Sequence, residues 1–341
     1  MTVFAIAGTL FICVSTFYFW RTRSGSREIL ERFPPIGEFV EVNGMKVHHV
    51  DLPGQADHEA GIDDNESPSI VFLHGASGNL RDAHFTFSER LQGKARLLFF
   101  DRPGHGFSER NGVVLGTVNG QADHLIAVLD RLSIKNAILV GHSWGAALAL
   151  TTALRHKERI SGLVLAAPVS HPWPGGINWY YHVAPLPLIG PLLAYLFALP
   201  LGLRQIDCAT AKVFWPDRVT PGYRDAVGAE MVLVPERFMA NAADIDGLRE
   251  HLVNVSPRYG EINKPVFILS GEKDQVVLPW VHAEALARTL PDCRIARKKS
   301  SGHMPHHAHA DDIADALEEM LASYRKPTTD QSQAVFVNAA E

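Results

Sequence analysis

Short, nearly continuous apolar runs recur along the chain and predict buried strands. Runs of this kind are typical of parallel strands that are covered on both faces. Five of them are Ser69 to Leu73, Arg96 to Phe100, Ala137 to Val140, Gly162 to Ala166 and Val266 to Leu269. A shorter run, Cys293 to Arg297, reads as a last strand. The pattern therefore predicts a sheet of at least six strands.

Segments with the apolar spacing of a helix lie between several of these runs. Residues 121–132 repeat apolar residues at every third and fourth position, and residues 146–155 are rich in strong helix formers. Strands that alternate with helices predict an α/β fold with a mostly parallel, twisted sheet and right-handed crossovers. Residues 38–51 alternate apolar and polar around Asn43-Gly44, which predicts a hairpin at the start of this core.

The alternation stops between residues 170 and 262. A structureless loop of that length is uncommon in a compact domain, so residues 171–261 are expected to form an inserted helical cap. The cap divides the core into residues 36–170 and 262–325. Residues 184–202 carry no charge over 19 positions, but they contain four prolines, which favours an apolar cap helix over a second membrane span.

The first 22 residues predict a membrane anchor. Residues 2–20 are 19 uncharged residues, long enough to span a bilayer, and Arg21, Arg23 and Arg27 follow them. The run begins almost at Met1 and ends in aromatic residues, which favours an uncleaved single-pass helix over a signal peptide. Positive charge on its C-terminal side predicts that the rest of the chain lies in the cytoplasm. Residues 327–341 are expected to be a weakly ordered tail.

Composition narrows the classes of function. The 341-residue chain has a formal net charge of -5, with a sequence pI near 6.4. No basic field is available to attract phosphates, so a nucleic-acid partner is not expected. The three cysteines, Cys13, Cys208 and Cys293, are far apart, which argues against a disulfide framework or a thiolate metal site. The oligomeric state is left open.

The pentapeptide Gly141-His142-Ser143-Trp144-Gly145 stands between a strand pattern and a helix pattern. In that setting a Gly-x-Ser-x-Gly sequence places the serine on a tight, strained turn from which its hydroxyl protrudes. An ordinary strand-to-helix turn with an incidental serine is the alternative. Ser143 is the candidate nucleophile.

A serine hydroxyl needs a base, and the base needs an acid that orients it. Asp274 follows the run at residues 266–269, and His303 follows the last predicted strand. The order serine, aspartate, histidine is the one that the nucleophile-elbow fold uses. Glu272 is a neighbouring candidate for the acid.

With these motifs the chain resembles the α/β-hydrolase superfamily over residues 36–325. The motifs that carry the resemblance are HGASGN, DRPGHGFS, GHSWG and the pair GEKD and SGHMPHH. The resemblance implies that Ser143 attacks, His303 takes its proton and Asp274 orients the imidazole. It also implies an oxyanion hole formed by the backbone N–H groups of Ala76 and Trp144. Within the family the chain resembles membrane-anchored monoacylglycerol lipases and esterases.

Other conspicuous residues are interpreted as structural. The Asp101-Arg102-Pro103-Gly104-His105-Gly106 stretch is expected to brace the loops around the pocket, and Trp144 to line the pocket or face the cap. His303, His306, His307 and His309 form a cluster, but no carboxylate or cysteine pattern completes a metal shell around them. Neither a metal nor a cofactor is expected.

The substrate expected from these features is a carboxylic ester of apolar, lipid-like character, with membrane lipid as a further partner. A serine at the elbow excludes those branches of the superfamily that attack with a carboxylate. The aromatic cap residues would also accept a ring, as in the carbon-carbon bond hydrolases that use the same triad. Perhydrolase and aminopeptidase activities stay open, and a noncatalytic binding module is the alternative of another class.

Overall fold

The structure is a computed structural model, and it describes residues 2–54, 67–112 and 114–325. The predicted tail at residues 327–341 lies outside these ranges. Within them, an α/β core carries an inserted helical region and is preceded by one long helix.

The core contains an eight-stranded sheet whose strand order is β1-β2-β4-β3-β5-β6-β7-β8. Strand β2 pairs antiparallel with β1 and β4, and all other neighbours are parallel. The mostly parallel sheet predicted from the apolar runs is therefore present. The strands are β1 (Glu38–Val42), β2 (Met45–Leu52), β3 (Ser69–Leu73), β4 (Leu97–Phe100), β5 (Ala137–His142), β6 (Ile160–Ala166), β7 (Val266–Gly271) and β8 (Cys293–Lys298).

The predicted hairpin joins β1 to β2. Asn43 and Gly44 adopt φ values of 52° and 73°, and Val42 pairs with Met45 across the turn. Two successive positive φ values characterise the type I′ turn, whose twist suits a two-residue hairpin.

Thirteen α-helices surround the sheet or build the cap in the residues that the structure describes. They are α1 (Thr2–Arg32), α2 (Leu80–Leu91), α3 (Val118–Arg131), α4 (Trp144–Arg155), α5 (Trp179–Val183), α6 (Ile189–Leu193), α7 (Leu199–Phe214), α8 (Tyr223–Val227), α9 (Pro235–Asp246), α10 (Leu248–Val255), α11 (Ala283–Thr289), α12 (Pro305–Ala308) and α13 (Ala310–Arg325). A π-helical turn, Ala194–Ala198, joins α6 to α7 in one continuous rod.

Apolar side chains cover both faces of the sheet, as the continuous strand patterns require. Val71, Leu73 and Leu98 face the layer that contains α3 and α4. Ile70 and Phe72 face the opposite layer, which contains α2 and α13. Successive residues of a strand point to opposite faces, so one apolar strand supplies both cores. The result is a three-layer arrangement of helices, sheet and helices.

Helices α5 to α10 form the cap between β6 and β7. The apolar segment at residues 184–202 contributes α6, the π-turn and the start of α7. The rod Ile189–Phe214 is the one helix in the searched residues that is long and apolar enough to cross a membrane by length and composition, and 28% of its apolar window is buried. Its place between two strands of the core makes it part of the cap.

Helix α1 continues to Arg32, past the end of the predicted anchor at residue 22. Its last turns pack on the cap, where Ile29 and Phe33 join a buried cluster with Leu199 and Met231. Membrane insertion of this helix stays a prediction.

Candidate active site

Ser143 occupies the turn between β5 and α4. Its backbone has φ 51° and ψ -115°, a combination that L-amino acids other than glycine rarely adopt. The Ser143 N–H donates to the carbonyl of Ala166 at 3.0 Å, which ties the turn to the end of β6. A strained backbone that its surroundings hold in place is a frequent feature of functional turns.

The glycines on either side of the turn are required by space. A Cβ added at Gly145 would overlap the carbonyl oxygen of Leu73, and one at Gly141 would lie 2.7 Å from the Cα of Ala146. Both contacts are with backbone, which cannot move aside without disturbing β3 or α4. The sequence pattern therefore reflects close packing of the turn against the neighbouring strand and its own helix.

His303 and Asp274 are joined by a hydrogen bond of 2.8 Å between Nδ1 and Oδ2. The other carboxylate oxygen of Asp274 accepts the amides of Val276 and Val277, at 2.8 and 2.9 Å. Both Asp274 and His303 are buried, whereas the competing acid Glu272 is exposed. Asp274 is thus fixed in the position that orients the imidazole, and the geometry favours it over Glu272.

His142 connects the histidine loop to the turn that carries Ser143. Its Nε2–H donates to the carbonyl of His303 at 3.0 Å, and the two rings lie 5.0 Å apart. Burial, together with the neighbouring His306 and His303, holds the pKa of His142 well below its usual value. The neutral ring of His142 thus holds the backbone of His303 next to the turn that carries Ser143.

The loop after β3 is held by Arg102. The Arg102 guanidinium donates to the carbonyls of His74 and Gly75, both at 3.1 Å. A trans peptide places its N–H opposite its C=O, so the Ala76 N–H points away from Arg102. Gly75 lies against the serine turn, where a Cβ would meet the Cβ of Ser143 at 3.3 Å.

The second expected oxyanion donor, the Trp144 amide, belongs to the first residue of α4. The first amides of a helix have no acceptor within it. Gly75, which precedes Ala76, lies against Ser143, and Trp144 follows Ser143 in the chain. The role of the Ala76 and Trp144 amides as oxyanion donors stays a prediction.

The indole ring of Trp144 does not line the cavity described below. It is 1% exposed, its Nε1–H donates to the carbonyl of Asp244 at 3.0 Å, and the Arg102 guanidinium stacks over it at 3.9 Å. Asp244 belongs to α9 of the cap. Of the two expected positions, lining the pocket or facing the cap, the second is the one that the structure shows, because the ring packs between the core and α9.

Asp101 braces the loops as expected. Its carboxylate accepts the amides of Leu80 and Phe107, at 2.8 and 2.9 Å, and pairs with Nδ1 of His48 at 2.6 Å. Three separate elements therefore meet at one buried side chain.

The histidine cluster contains a carboxylate that sequence reasoning missed. Asp82 of α2 bonds Nε2 of His306 at 3.1 Å and Nε2 of His307 at 2.9 Å, and it also bonds the hydroxyl of Tyr223 in the cap. Burial and this carboxylate raise the pKa of Tyr223 well above its usual value. The hydrogen bonds from these three groups to one carboxylate explain why the histidines cluster. The side chains of Asp82, His306 and His307 are also of the types that can bind a cation.

Asp217 is a second cap residue that the sequence did not indicate. Its carboxylate accepts the hydroxyl of Ser301 at 2.6 Å and the amide of Gly302 at 3.0 Å. These residues directly precede His303, so the cap fixes the loop that carries the candidate base. Nothing in the local sequence around Asp217 signals this contact, because its partners lie 84 and 85 residues further along the chain.

A cavity of about 660 Å³ opens between the core and the cap. Its lining comes from the loop at residues 104–112, from the cap segment at residues 184–191 and from α9. Ser143, Asp274 and His303 are not among the lining residues. The cavity is a candidate binding region between the core and the cap.

Comparison with known proteins places this arrangement in a family. The family described as alpha/beta hydrolase fold matches residues 68–312. The chain belongs to that family, as its resemblance to the superfamily predicted.

Among curated relatives, a 2-hydroxy-6-oxo-6-phenylhexa-2,4-dienoate hydrolase from Comamonas testosteroni is 29% identical over 276 residues, which is 75% of this chain and 87% of the relative. The enol-lactonase from Burkholderia xenovorans LB400 has a TM-score of 0.66 at 20% identity, covering 84% of this chain and all of the enzyme. A bacterial membrane phospholipase A, described as a virulence factor, has a TM-score of 0.65 at 18% identity, covering 96% and 97%. These structural likenesses show the shared fold.

Proposed function

We propose that this protein is a serine hydrolase that works through an acyl-enzyme formed on Ser143. The observation that carries the proposal is a strained serine turn beside a buried His303–Asp274 pair, with His142 linking the two. Acyl transfer by a serine depends on a nucleophile, a base and an orienting acid, and these three residues are of the types that it needs.

In the proposed mechanism the Ser143 hydroxyl attacks the carbonyl carbon while Nε2 of His303 takes its proton. Asp274 holds Nδ1–H and stabilises the imidazolium that forms. The Ala76 and Trp144 amides donate to the oxyanion, where losing one such donor costs about 100- to 1000-fold in rate. The leaving group then takes the proton from His303, and water releases the acyl group by the same steps in reverse.

The substrate class proposed is a carboxylic ester with an apolar acyl chain. The cap carries exposed apolar side chains, among them Leu186, Leu188 and Ile189, close to the cavity between cap and core. The fold likeness to a membrane phospholipase A, which extends over almost the whole chain, supports the same class.

The proposed location is a membrane, with residues 1–22 as a single-pass anchor and membrane lipid as a partner. The uncharged residues 2–20 form the first part of a helix that continues into the cap contact. Arg21, Arg23 and Arg27 favour a cytoplasmic position for the catalytic body.

Hydrolysis of a carbon-carbon bond beside a ketone is the second candidate. It is favoured by relatives such as the phenylhexadienoate hydrolase of Comamonas testosteroni and a 2-hydroxymuconate semialdehyde hydrolase of Pseudomonas, at 29% and 27% identity. The same triad could act on either substrate class.

A matched substrate panel tests the proposal. The purified protein is given p-nitrophenyl esters of increasing acyl length and, in parallel, 2-hydroxy-6-oxo-6-phenylhexa-2,4-dienoate. We expect kcat/KM to rise from acetate to medium or long chains, and Ser143→Ala to lower kcat by at least about 10⁴-fold. The exposed Ser323→Ala variant is the matched control and should keep the parent rate. A larger kcat/KM for the dienoate would establish the second candidate, and activity confined to acetate would contradict the lipid-like substrate.

A further inference from the structure

An apolar surface lies uncovered on the cap. We call it the cap apolar face and define it by Leu186, Leu188, Ile189, Leu192 and Phe197, whose exposed fractions run from 45% to 88%. Single exposed apolar residues are ordinary on soluble proteins, but five within twelve positions of one uncharged segment are a patch. Leu201 and Leu203 of α7 are also exposed, but the later part of the same rod carries Arg204, Asp207 and Lys212, so its charged positions begin only there.

Leu188 forms the tip of this face in a costly conformation. It has φ 68° and ψ -50°, and the Ile189 amide donates to the Pro187 carbonyl at 2.9 Å across it. This is a γ-turn of the positive-φ type, which is rare and strained for a residue with a side chain. The turn presents an 88% exposed leucine that gains no burial within the protein. A strained turn that exposes its largest apolar side chain points to a partner outside the chain.

Contacts between α1 and the cap set the relative direction of the two helices. The ring of Phe19 stacks on that of Tyr195 at 4.9 Å, and Gly25 lies against the side chain of Leu199. The later residue of α1 thus contacts the later residue of the rod Ile189–Phe214, so the two helices are parallel.

These contacts show which part of α1 lies beside the cap apolar face. Ile189 precedes Tyr195 by six residues, and with a rise of 1.5 Å per residue it lies about 9 Å before that contact. The same distance along α1 leads from Phe19 back to Cys13, inside the uncharged residues 2–20. Arg21 and Arg23, both exposed, follow on α1 beyond the Phe19 contact, where cations can meet lipid phosphates.

We infer that the cap apolar face docks on the lipid bilayer beside α1, with Leu188 and Ile189 in the boundary between headgroups and acyl chains. A depth of about 9 Å below the Phe19 level agrees with the 5–10 Å by which interfacial apolar faces enter a membrane. The inference rests on the proposed anchoring of α1. It adds that the cap is a second lipid contact and that the cavity bordered by Leu186 and Pro187 opens beside the lipid.

Fluorescent labels on single cysteines test this in the full-length protein. The three native cysteines allow a Cys13-only form, made by Cys208→Ser and Cys293→Ser, which reports on the anchor. Adding Cys13→Ser and Leu188→Cys reports on the cap, and Asp315→Cys in the same background reports on an exposed site of α13. Each protein carries an environment-sensitive dye and is reconstituted in vesicles of phosphatidylcholine and phosphatidylglycerol, with or without a nitroxide near the carbonyl end of the acyl chains.

We expect the nitroxide lipid to lower emission about twofold at both Cys13 and Leu188→Cys, and to leave Asp315→Cys unchanged. Quenching at Cys13 alone would keep the anchor and overturn the cap contact. No quenching at either position would overturn the anchoring proposal and this inference with it. A shielded label at Leu188→Cys that depends on protein concentration and not on nitroxide would show a protein interface on this face, which also overturns the inference.

Discussion

Ser143 holds a backbone conformation that costs free energy in any protein, and the neighbouring residues explain how it persists. The turn is fixed by its hydrogen bond to Ala166 and by glycines that leave no room between β3, β5 and α4. Strain of this kind costs about 1–3 kcal/mol, which packing of the core must offset. The position of the hydroxyl is thus a consequence of backbone packing.

Substitution of Gly145 by alanine tests that packing. The added Cβ would overlap the Leu73 carbonyl, so β3 and α4 must separate. We expect Gly145→Ala to lower the free energy of unfolding by about 2–4 kcal/mol, measured by urea denaturation, and to reduce ester hydrolysis. Gly176→Ala is the matched control, because a Cβ there meets nothing within 4 Å. Equal stability of the two variants would contradict the close approach.

Buried histidines predict how stability depends on pH. Burial, with His307 beside it, lowers the pKa of His306 to about 4, so the folded protein keeps this ring neutral where the unfolded chain, with a pKa near 6.5, takes up a proton. The contribution of His306 to the free energy of unfolding is therefore fully present above pH 6.5 and is lost as the pH falls towards 4. The loss from this residue alone is about 3 kcal/mol, at 1.36 kcal/mol per pKa unit.

The variant His306→Gln keeps a donor for Asp82 and cannot titrate. Urea unfolding between pH 7 and pH 4.5 should show a shallower fall in its stability than in that of the parent. Equal slopes would show that His306 is protonated in the folded protein.

At the scale of elements, Arg102 joins three parts of the molecule. It follows β4, holds the loop after β3 through two carbonyls, and pairs with Asp244 of α9 at 2.5 Å. Gln121 of α3 accepts from the same guanidinium at 3.0 Å. The planar fork of arginine can reach all of these acceptors at once, and the single ammonium of lysine cannot.

Arg102→Lys should therefore destabilise the protein by about 2–4 kcal/mol and lower the rate of ester hydrolysis. The reason is that the two loop carbonyls and the carboxylate of Asp244 would lose hydrogen bonds in a buried site. Thermal unfolding and kinetics on one ester give both values. Arg131→Lys, at the exposed end of α3, is the control and should stay within about 0.5 kcal/mol of the parent. A variant that loses stability but keeps full activity would contradict the role assigned to Arg102 in shaping the loop at Ala76.

Sequence patterns predicted the elements of the core better than those of the cap. Buried parallel strands are continuous apolar runs, so β3 was predicted with its observed bounds and β5 to within two residues. The serine turn could also be predicted from the sequence, because the strand, the two glycines and the helix are adjacent in the chain. Asp82, Asp217 and Asp244 were not found, since each acts on partners that only the folded chain brings near it. The extent of α1 was also underestimated, because its last turns are held by tertiary packing on Leu199 and Met231.

At the scale of the whole molecule, apolar surface and candidate chemistry meet at the cap. The cap fixes the histidine loop through Asp217, contacts the serine turn through Asp244 and Trp144, and carries the cap apolar face. A hydrolase built in this way would take its substrate where the cap meets lipid. In the proposed account the core supplies the acyl-transfer geometry, and the cap and α1 bring apolar substrates to it.

The most direct test of the central claim is covalent labelling of Ser143. The full-length protein is treated with a fluorophosphonate, digested, and the modified peptide is identified by mass spectrometry. We expect one adduct on Ser143, none in Ser143→Ala, and a labelling rate at least about 100-fold lower in His303→Gln, because the hydroxyl then lacks its base. A folded parent protein that takes no label at Ser143, or a His303→Gln variant labelled as fast as the parent, would contradict the proposed hydrolase.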